Sequence, residues 1–282
     1  MRGPWLLMLV LLAGCQHAVA PAPVNGEIRD LHTGEVLTAE QLVTRLAGPE
    51  RLIIGEQHDN ADHHTAQLWL LQALGEQRQQ GSLLLEMLTP DQQPKVAGAR
   101  QMAEPADVVK ALDWQDGWDW ALYGPIVRFT LSQPYPLLAA NLDNNEIRAV
   151  YREPPALSGA RSNAASVQNT LLEQISDSHC GLLPESQMPA MLAVQQQRDR
   201  RMAERLLAAP TPSILLAGAW HARKDVGVPL HVLDLGAAKA PTVLMLAEHG
   251  EKVTAAMADY VWYTPATAKP DYCEQMRKQV GK

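Results

Sequence analysis

The polar residues that follow one short apolar run carry the side chains best suited to chemistry. Leu52 to Ile54 are apolar and end at Gly55. The next nine residues hold three of the chain's nine histidines and three carboxylates, namely Glu56, His58, Asp59, Asp62, His63 and His64. Such side chains do general acid–base work, bind divalent metals, or hold one another in a structural hydrogen-bond network. The residues alone leave these three interpretations open.

Two further apolar runs end in the same kinds of residue. Leu83 to Leu85 is followed by Glu86, and the run from Pro212 to Gly218 is followed by His221 and Arg223. The carboxyl ends of parallel strands meet at one edge of a sheet, where α/β proteins place ligand sites. The side chains expected to converge there are Glu56, His58, Glu86 and His221.

An aromatic segment is the second informative stretch. Trp114, Trp118 and Trp120 fall within seven residues, and Tyr123 follows them. A flat macrocycle such as haem needs an apolar slot, an axial ligand and donors for its propionates. Tyrosinate, being hard and anionic, suits ferric iron. The alternative is that these aromatic rings pack a helical insert against the sheet.

Several short motifs follow one another in order from about Arg51 to about Cys273. They are Gly55-Glu56-x-His58-Asp59-Asn60 with His63-His64 and Gln67, Glu86-Met87, Asp113-Trp114, Ala140-Asn141, His179-Cys180-Gly181, Gln195-x-x-Arg198-Asp199-x-x-Met202-Ala203, Gly218-x-x-His221-Ala222-Arg223, and Gly227-Val228-Pro229. Together they resemble the ChaN family of iron-regulated, haem-binding lipoproteins. That family is part of a wider Gly-Glu-x-His superfamily that also holds TIKI and erythromycin-esterase-like proteins.

The resemblance implies haem as cofactor. Family members hold the iron through a tyrosine, and the His and Lys of a second subunit hold the propionates, which implies a homodimer on haem binding. Tyr123 is the first candidate for the iron ligand and Tyr151 the second. Candidates for the propionates are His64, His221 and Arg223, with Lys95, Lys110 and Lys224 as the nearest lysines.

A polar cluster is expected beside the haem site. Its members are Glu56, His58, Asp59, Glu86 and Arg198. Under the haem interpretation it is an ancestral site retained for structure or for propionate contacts. Arg198 lies on an apolar stripe of a long helix, so it should be buried and paired with a strand-end carboxylate. The alternative is that its side chain extends along the surface with the charge in water.

Composition excludes some partners. The chain has 282 residues, 46% of them hydrophobic, and a net charge of −7. The hydrophobic fraction is large enough for a substantial core. The absence of a long basic block argues against nucleic acid as a partner.

The N-terminal residues are typical of an export signal. Residues 1–15 combine Arg2 with an apolar run that is too short for a membrane span. The run ends in Leu12-Ala13-Gly14-Cys15, which resembles a lipobox with Cys15 as the lipidated residue. Residues 16–25 should be a tether, and Gln16 resembles an outer-membrane sorting signal of a Gram-negative-type bacterium. The alternative is an ordinary signal peptide cleaved near Ala20.

Two cysteines remain in the mature chain, Cys180 and Cys273. An exported protein meets an oxidising compartment, where these residues can form a disulfide. The alternative is two free buried thiols.

The predicted fold is α/β, a mostly parallel sheet flanked by helices with a smaller helical cap, in one domain over residues 26–282. Helical insertions are expected at about 90–133 and 150–190. Further strands are predicted at Leu230–Leu235 and Thr242–Ala247, and Tyr260–Tyr263 should be an edge strand or an extended tail.

Two function classes follow. The first is a lipid-anchored haem-binding protein in haem or iron uptake or storage. The second is a hydrolase, metal-dependent or acid–base, built on Glu56, His58, Glu86 and His221. The chain has no His-Glu-x-x-His, no Gly-x-Ser-x-Gly and no Gly-rich phosphate loop, which favours the non-enzymatic function. A binding role for another ligand also stays open.

Overall fold

The fold is a single twisted sheet covered on both faces by helices. It was obtained as a computed structural model, and it describes residues 21–268 and 271–280. The strands are β1 Glu27–Asp30, β2 Val36–Leu37, β3 Arg51–Glu56, β4 Ser82–Leu85, β5 Leu137–Ala139, β6 Ser213–Gly218, β7 Thr242–Glu248 and β8 Tyr260–Thr264. The predicted signal peptide and Cys15 lie outside the described residues.

The helices alternate with the strands along most of the chain. They are α1 Ala39–Leu46, α2 Ala61–Gln77, α3 Val96–Ala99, α4 Pro105–Leu112, α5 Trp120–Leu131, α6 Asn144–Arg152, α7 Ala165–Ser178, α8 Met188–Ala208, α9 Ala219–Ala222, α10 Val228–Asp234 and α11 Tyr272–Val280, with 3₁₀ turns at Gln93–Lys95 and Glu185–Gln187. Within the described part of the chain, no helix is both long enough and apolar enough to span a membrane.

Strand order across the sheet is β2-β1-β8-β7-β3-β6-β4-β5. The strands from β8 to β5 run parallel, and β1 is antiparallel to both β8 and β2. The predicted fold class, a mostly parallel α/β sheet flanked by helices, is confirmed.

Each face of the sheet has its own apolar core. Leu52 and Ile54 of β3 pack with α1, α2 and α5 on one face, whereas Ile53 packs with α8 and α10 on the other. Because successive side chains of a strand point to opposite faces, a run buried on both sides must be apolar throughout. This explains why the run from Leu52 to Ile54 identified a central strand.

The end of β3 leaves room only for glycine. A Cβ added to Gly55 would lie 2.6 Å from the Cβ of Ala222 and 2.7 Å from the Sδ of Met245. The backbone of α9 can therefore approach β3 closely. That approach brings the residues after β6 next to those after β3.

Two predicted strands are corrected. Leu230–Leu235 is not a strand, because the segment belongs to α10. Gly227 precedes that helix and Pro229 lies in its first turn, where the fixed φ of proline favours helix. Val228 and Val232, one turn apart, pack on α8. The Tyr260–Tyr263 segment is a strand, but it lies between β7 and β1 and so is not an edge.

The insertions differ in how they pack. Val108, Leu112 and Ile126 from the first insertion join the same core as α1 and α2. The second insertion contributes α7, which packs in a small separate cluster through Val167 and Leu171. In the predicted tether, Val24 is already buried against the core, so ordered packing begins before residue 26.

The structure joins Cys180 and Cys273 in a disulfide, with their Cα atoms 5.5 Å apart. The bond connects the residues just after α7 to α11, and it closes a loop of 93 residues in sequence separation. Nearby, the Tyr272 hydroxyl donates to Asp59 Oδ2 at 2.8 Å. The C-terminal helix is thus fastened both to α7 and to the turn after β3.

Removing the disulfide tests how far it stabilises the fold. We expect Cys273→Ser to lower the free energy of unfolding by ~2–4 kcal/mol, because the bond restricts the unfolded chain over a long loop. Urea denaturation measures this change. Cys180→Ser and the double variant should lose the same amount, since all three remove one bond. A urea midpoint that does not move in the absence of reductant would contradict the expectation.

Candidate functional site

A buried carboxylate lies at the end of β3. Glu56 is 1% exposed. Its Oε1 accepts hydrogen bonds from the Tyr123 hydroxyl at 2.8 Å and from His58 Nδ1 at 2.8 Å. His64 Nε2 lies 3.6 Å from the other oxygen, Oε2, but donates its hydrogen bond to the His58 carbonyl at 3.0 Å. An unpaired carboxylate is costly to bury, so the Tyr123 and His58 donors compensate the charge of Glu56.

The side chains around Glu56 come from three different elements. His58 follows β3, His64 lies in the first turn of α2, and Tyr123 lies in the first turn of α5. Asn60 fixes the start of α2, because its side chain accepts from the backbone amides of Asp62 and His63. The local sequence therefore turns sharply after β3 and presents His58 and His64 on the two sides of Glu56.

His58 is the accessible member of this group. Its side chain is 40% exposed, its ring packs edge-on against Trp118, and its Nε2 lies over Gly218. A Cβ on Gly218 would come within 2.7 Å of that nitrogen. Burial opposes the charged ring, yet the hydrogen bond to Glu56 and the charge of Glu86 raise the pKa of His58 to about 9.

A second histidine is held by two carboxylates. His221 Nδ1 donates to Asp199 Oδ1 at 2.6 Å, and its Nε2 is 3.4 Å from Glu86 Oε1. Glu86 Oε2 in turn accepts from the Gly218 amide at 2.7 Å. Burial works against the charged imidazolium, but Glu86 and Asp199 raise the pKa of His221. The charge of His221 helps to hold the pKa of Glu86 below its ordinary value despite burial.

Both histidines line a cavity of about 460 Å³ at the carboxyl ends of β3, β6 and β7. Its apolar wall includes Met245, Val253 and Met257. Volumes of this size are typical of small-molecule sites. The structure therefore brings together the four side chains that were predicted to converge, namely Glu56, His58, Glu86 and His221.

Comparison with known proteins connects this geometry to a family. A family model described as haem-binding uptake, Tiki superfamily, ChaN matches residues 42–232. The chain belongs to this family. That membership agrees with the resemblance that the ordered motifs predict.

One solved structure agrees with the family assignment. A structure described as cofacial heme binding to ChaN of Campylobacter jejuni matches with a TM-score of 0.79 and 29% identity, over 86% of this chain and 97% of that one. An erythromycin esterase, the EreC H289N mutant in its open conformation, matches with a TM-score of 0.48 and 15% identity, over 88% and 86% of the two chains. No curated protein matches the chain.

Tyr123, the first candidate for the iron ligand of a ChaN-family protein, lies inside the protein. It is 1% exposed, and its ring contacts His64 with centroids 4.4 Å apart. Burial and the neighbouring Glu56 carboxylate raise the pKa of Tyr123 far above its ordinary value. The phenol therefore stays protonated and donates to Glu56, an environment that opposes the tyrosinate needed for iron.

Tyr151, the second candidate, has the opposite environment. It lies on α6 and is 36% exposed. The hydroxyl has no hydrogen-bond partner among the residues that the structure describes. Of the two candidates, Tyr151 is therefore the one with an exposed side chain.

The candidate propionate donors are mostly engaged elsewhere. Arg223 donates to both oxygens of Asp225 at 2.9 and 2.7 Å, and its guanidinium lies 4.2 Å from the Trp220 ring centroid. Lys224 contacts Asp259, and Lys95 contacts Asp113. His64 and His221 belong to the interior cluster described above.

Two members of the predicted polar cluster lie at its margin. Asp59 is exposed and accepts from Tyr272, and its charge helps to raise the pKa of His58. Arg198 is half-buried, and its Nε is buried with no hydrogen-bond partner in the described part of the chain. The positive charge of Arg198 nevertheless helps to lower the pKa of the strand-end carboxylate Glu86.

Sequence reasoning missed Asp199, the residue next to Arg198. Its carboxylate holds His221, and it is fully buried on α8. It precedes the apolar residues Met202 and Ala203 by three and four positions, which places it on their buried side of the helix and was the available signal. Over residues 21–268 and 271–280, no group of three or more His, Cys, Asp or Glu side chains is arranged to hold a metal ion.

The Glu56–His58 pair should stabilise the fold in a defined pH range. The pKa of His58 rises from 6.5 to about 9 on folding, so its contribution is complete below pH 6.5 and is lost as the pH rises through 9. We therefore expect the difference in unfolding free energy between wild type and His58→Gln to shrink as the pH rises from 6.5 to above 9. Urea denaturation at several pH values measures this difference.

A charge-removing variant sharpens this test. Glu56→Gln keeps an oxygen acceptor for His58 and Tyr123 but loses the negative charge. We therefore expect a lower titration midpoint for the His58 ring, as measured by NMR. A midpoint that stays at the wild-type value would show that Glu56 does not set the charge state of His58.

Proposed function

We propose that the chain binds haem on the outer side of α6, with Tyr151 as the iron ligand. The main support is that Tyr151 is exposed and its hydroxyl has no hydrogen-bond partner among the described residues, in a chain that belongs to a haem-binding family. When bound, haem would supply a ferric iron that accepts the phenolate oxygen.

The other tyrosines fit this role less well. Tyr123 is buried, and burial raises the pKa of Tyr135 to about 12. The hydroxyl groups of the remaining three are engaged: Tyr260 bonds with Arg45, Tyr263 with the Val253 amide, and Tyr272 with Asp59.

The surroundings of Tyr151 fit a surface ligand. None of the α6 residues is buried, and the helix places Ile147 one turn before Tyr151 on the same side. Ile147 therefore offers an apolar contact to a flat molecule whose iron is bound by Tyr151. The interior cavity lies elsewhere, at the strand ends.

Helix α8 holds α6 in place at its start. The Asp143 side chain caps α6, and Glu146 completes a capping box with it. Arg201 of α8 contacts both oxygens of Glu146, at 2.6 and 3.3 Å. Beyond the helix, Arg200 and Gln196 donate to the carbonyls of Ser158 and Ser162. Tyr151 is therefore carried by a helix whose first turn is held by α8.

We further propose that Cys15 is lipidated and anchors the chain at the outer membrane, where it would act in haem or iron uptake or storage. The support is the Leu12-Ala13-Gly14-Cys15 motif, together with the disulfide between Cys180 and Cys273, which suits an oxidising compartment. Homodimer formation on haem binding stays a prediction, for which sedimentation velocity with and without haemin is the measurement.

Tyrosine substitutions test the ligand assignment. In a haemin titration of residues 16–282, we expect Tyr151→Phe to lose the ferric tyrosinate charge-transfer band and to bind haemin more weakly. Tyr123→Phe is the matched control, and it should keep the band, because its phenol bonds Glu56 inside the protein. Survival of the band in Tyr151→Phe with its loss in Tyr123→Phe would reverse the assignment.

The strand-end cavity favours a second candidate function, acid–base hydrolysis of a small molecule. Its specific support is that His58 and His221 both line the cavity while a buried carboxylate bonds the Nδ1 of each ring. A histidine oriented in this way can take a proton from water through Nε2.

Hydrolysis would show itself in a substrate screen at this cavity. If a small ester is turned over, we expect His58→Gln to reduce the rate by ~100-fold or more. The rate should rise with pH until His58 loses its proton, at a pKa of about 9. Tyr151→Phe should leave the rate unchanged. Equal rates for wild type and His58→Gln would remove this candidate.

A further inference from the structure

We propose that the strand-end cavity binds a small carboxylate with an aliphatic body, and that His58 Nε2 donates a hydrogen bond to its charged end. The site is separate from Tyr151, and it needs neither haem nor the turnover of a substrate. The inference therefore goes beyond haem binding and does not rest on it. The ligand class is a monocarboxylate with a short apolar chain.

The first step is the free nitrogen of the His58 ring. Glu56 Oε1 and the Tyr123 hydroxyl both contact Nδ1, at 2.8 and 2.9 Å. Among the residues that the structure describes, none forms a hydrogen bond with Nε2, and the ring lines the cavity. Gly218 leaves this nitrogen uncovered, because a Cβ there would lie 2.7 Å from it. The ring is thus fixed through one nitrogen and can donate to a ligand through the other.

The second step is the charge of that ring. The titratable groups around it come from several elements and are Glu56 of β3, Asp59 of the same turn, His64 of α2, Glu86 after β4, Tyr123 of α5 and His221 of α9. Burial opposes the charged ring, but the hydrogen bond to Glu56 and the charges of Glu86 and Asp59 raise the pKa of His58 to about 9. At neutral pH the ring is therefore an imidazolium. It cannot take a proton there, but it can bond an anion.

The third step is that the nearest buried carboxylate is already compensated. Glu86 Oε2 accepts from the Gly218 amide at 2.7 Å, and its Oε1 lies 3.4 Å from His221 Nε2. Lys252 is exposed at the edge of the cavity, and no carboxylate among the described residues pairs with it. The cavity therefore offers an anion two cationic donors, His58 inside and Lys252 at the edge.

The fourth step is the apolar wall. Met245 of β7 lines the cavity together with Val253 and Met257 of the loop between β7 and β8. The Gln57 side chain donates to Glu251 of that loop, which fastens the loop to the turn after β3. The wall is thus formed before a ligand arrives, as is usual for small-molecule sites. An aliphatic chain would remove apolar surface from water against it.

The experiment uses octanoate as the probe and octanol, which has the same chain without the charge, as its control. Each is titrated by calorimetry into residues 16–282 at pH 7 without haemin. We expect octanoate to bind at least tenfold more tightly than octanol, because a hydrogen bond between charged groups forms only with octanoate. From butanoate to octanoate, each added methylene should raise the affinity about fourfold.

The pH dependence identifies the donor. The affinity for octanoate should fall as the pH rises through 9, where His58 loses its proton. His58→Gln should weaken octanoate binding at least tenfold at pH 7 and abolish the change near pH 9. Lys252→Gln should weaken binding by about threefold, since an exposed charge contributes less.

Two control variants leave the cavity intact. Lys239→Gln removes an exposed lysine at the opposite end of the sheet, before β7, and should bind octanoate as wild type does. Tyr151→Phe should also bind octanoate as wild type does. Failure of the haem proposal and failure of this inference are therefore distinguishable.

A measurement on wild type does not depend on the stability of any variant. Octanoate, but not octanol, should raise the NMR titration midpoint of the His58 ring, because a bound anion favours the imidazolium. This shift, together with the preference for octanoate, supports the inference. Equal affinities for octanoate and octanol overturn it, because the cavity would then hold only the chain. An unchanged midpoint, or no binding of octanoate at millimolar concentration, also overturns it.

Discussion

The buried charge of Glu56 is the constraint on which the rest of the strand-end site depends. A carboxylate that is 1% exposed needs hydrogen-bond donors, or the fold loses several kcal/mol. Tyr123 and His58 supply those donors from two separate elements, α5 and the turn after β3. The first insertion is thereby joined to the centre of the sheet by a polar contact as well as by apolar packing.

Helix α8 connects this interior site to the outer helix α6. Asp199 points inward and holds His221, while Arg201 points the other way and holds Glu146. Arg200 and Gln196 fasten the loop that follows α6. One rigid helix thus sets the position of the buried histidine and of the exposed Tyr151, although the two sites share no side chain. A substitution in either site can therefore be tested separately from the other.

Much of the fold was predictable because buried parallel strands leave a clear signal. The apolar runs at β3, β4 and β6 each ended in a polar residue, and Glu56, Glu86 and His221 did converge. The segment of α10 was predicted wrongly, because a short apolar run fits a strand or a buried helix equally well. Only Pro229, which favours the first turn of a helix, distinguishes a helix from a strand in this segment.

The choice between tyrosines was not predictable in the same way. Tyr123 follows three tryptophans, which suggested an aromatic slot, but two of those rings, Trp114 and Trp118, pack against a phenol that the protein uses internally. Whether a hydroxyl faces water or a buried carboxylate depends on long-range packing, which residue spacing does not encode. Asp199 illustrates the same limit, since a single step along α8 separates it from the less buried Arg198.

The lack of any buried residue in α6 affects how a ligand would come and go. A site inside a core can exchange its contents only when packed elements separate. A site on the outside of a helix has no such barrier. Capture and release would then be set by the contacts of the ligand alone. A receiving protein could take the molecule by direct surface-to-surface transfer, while the donor keeps its interior intact.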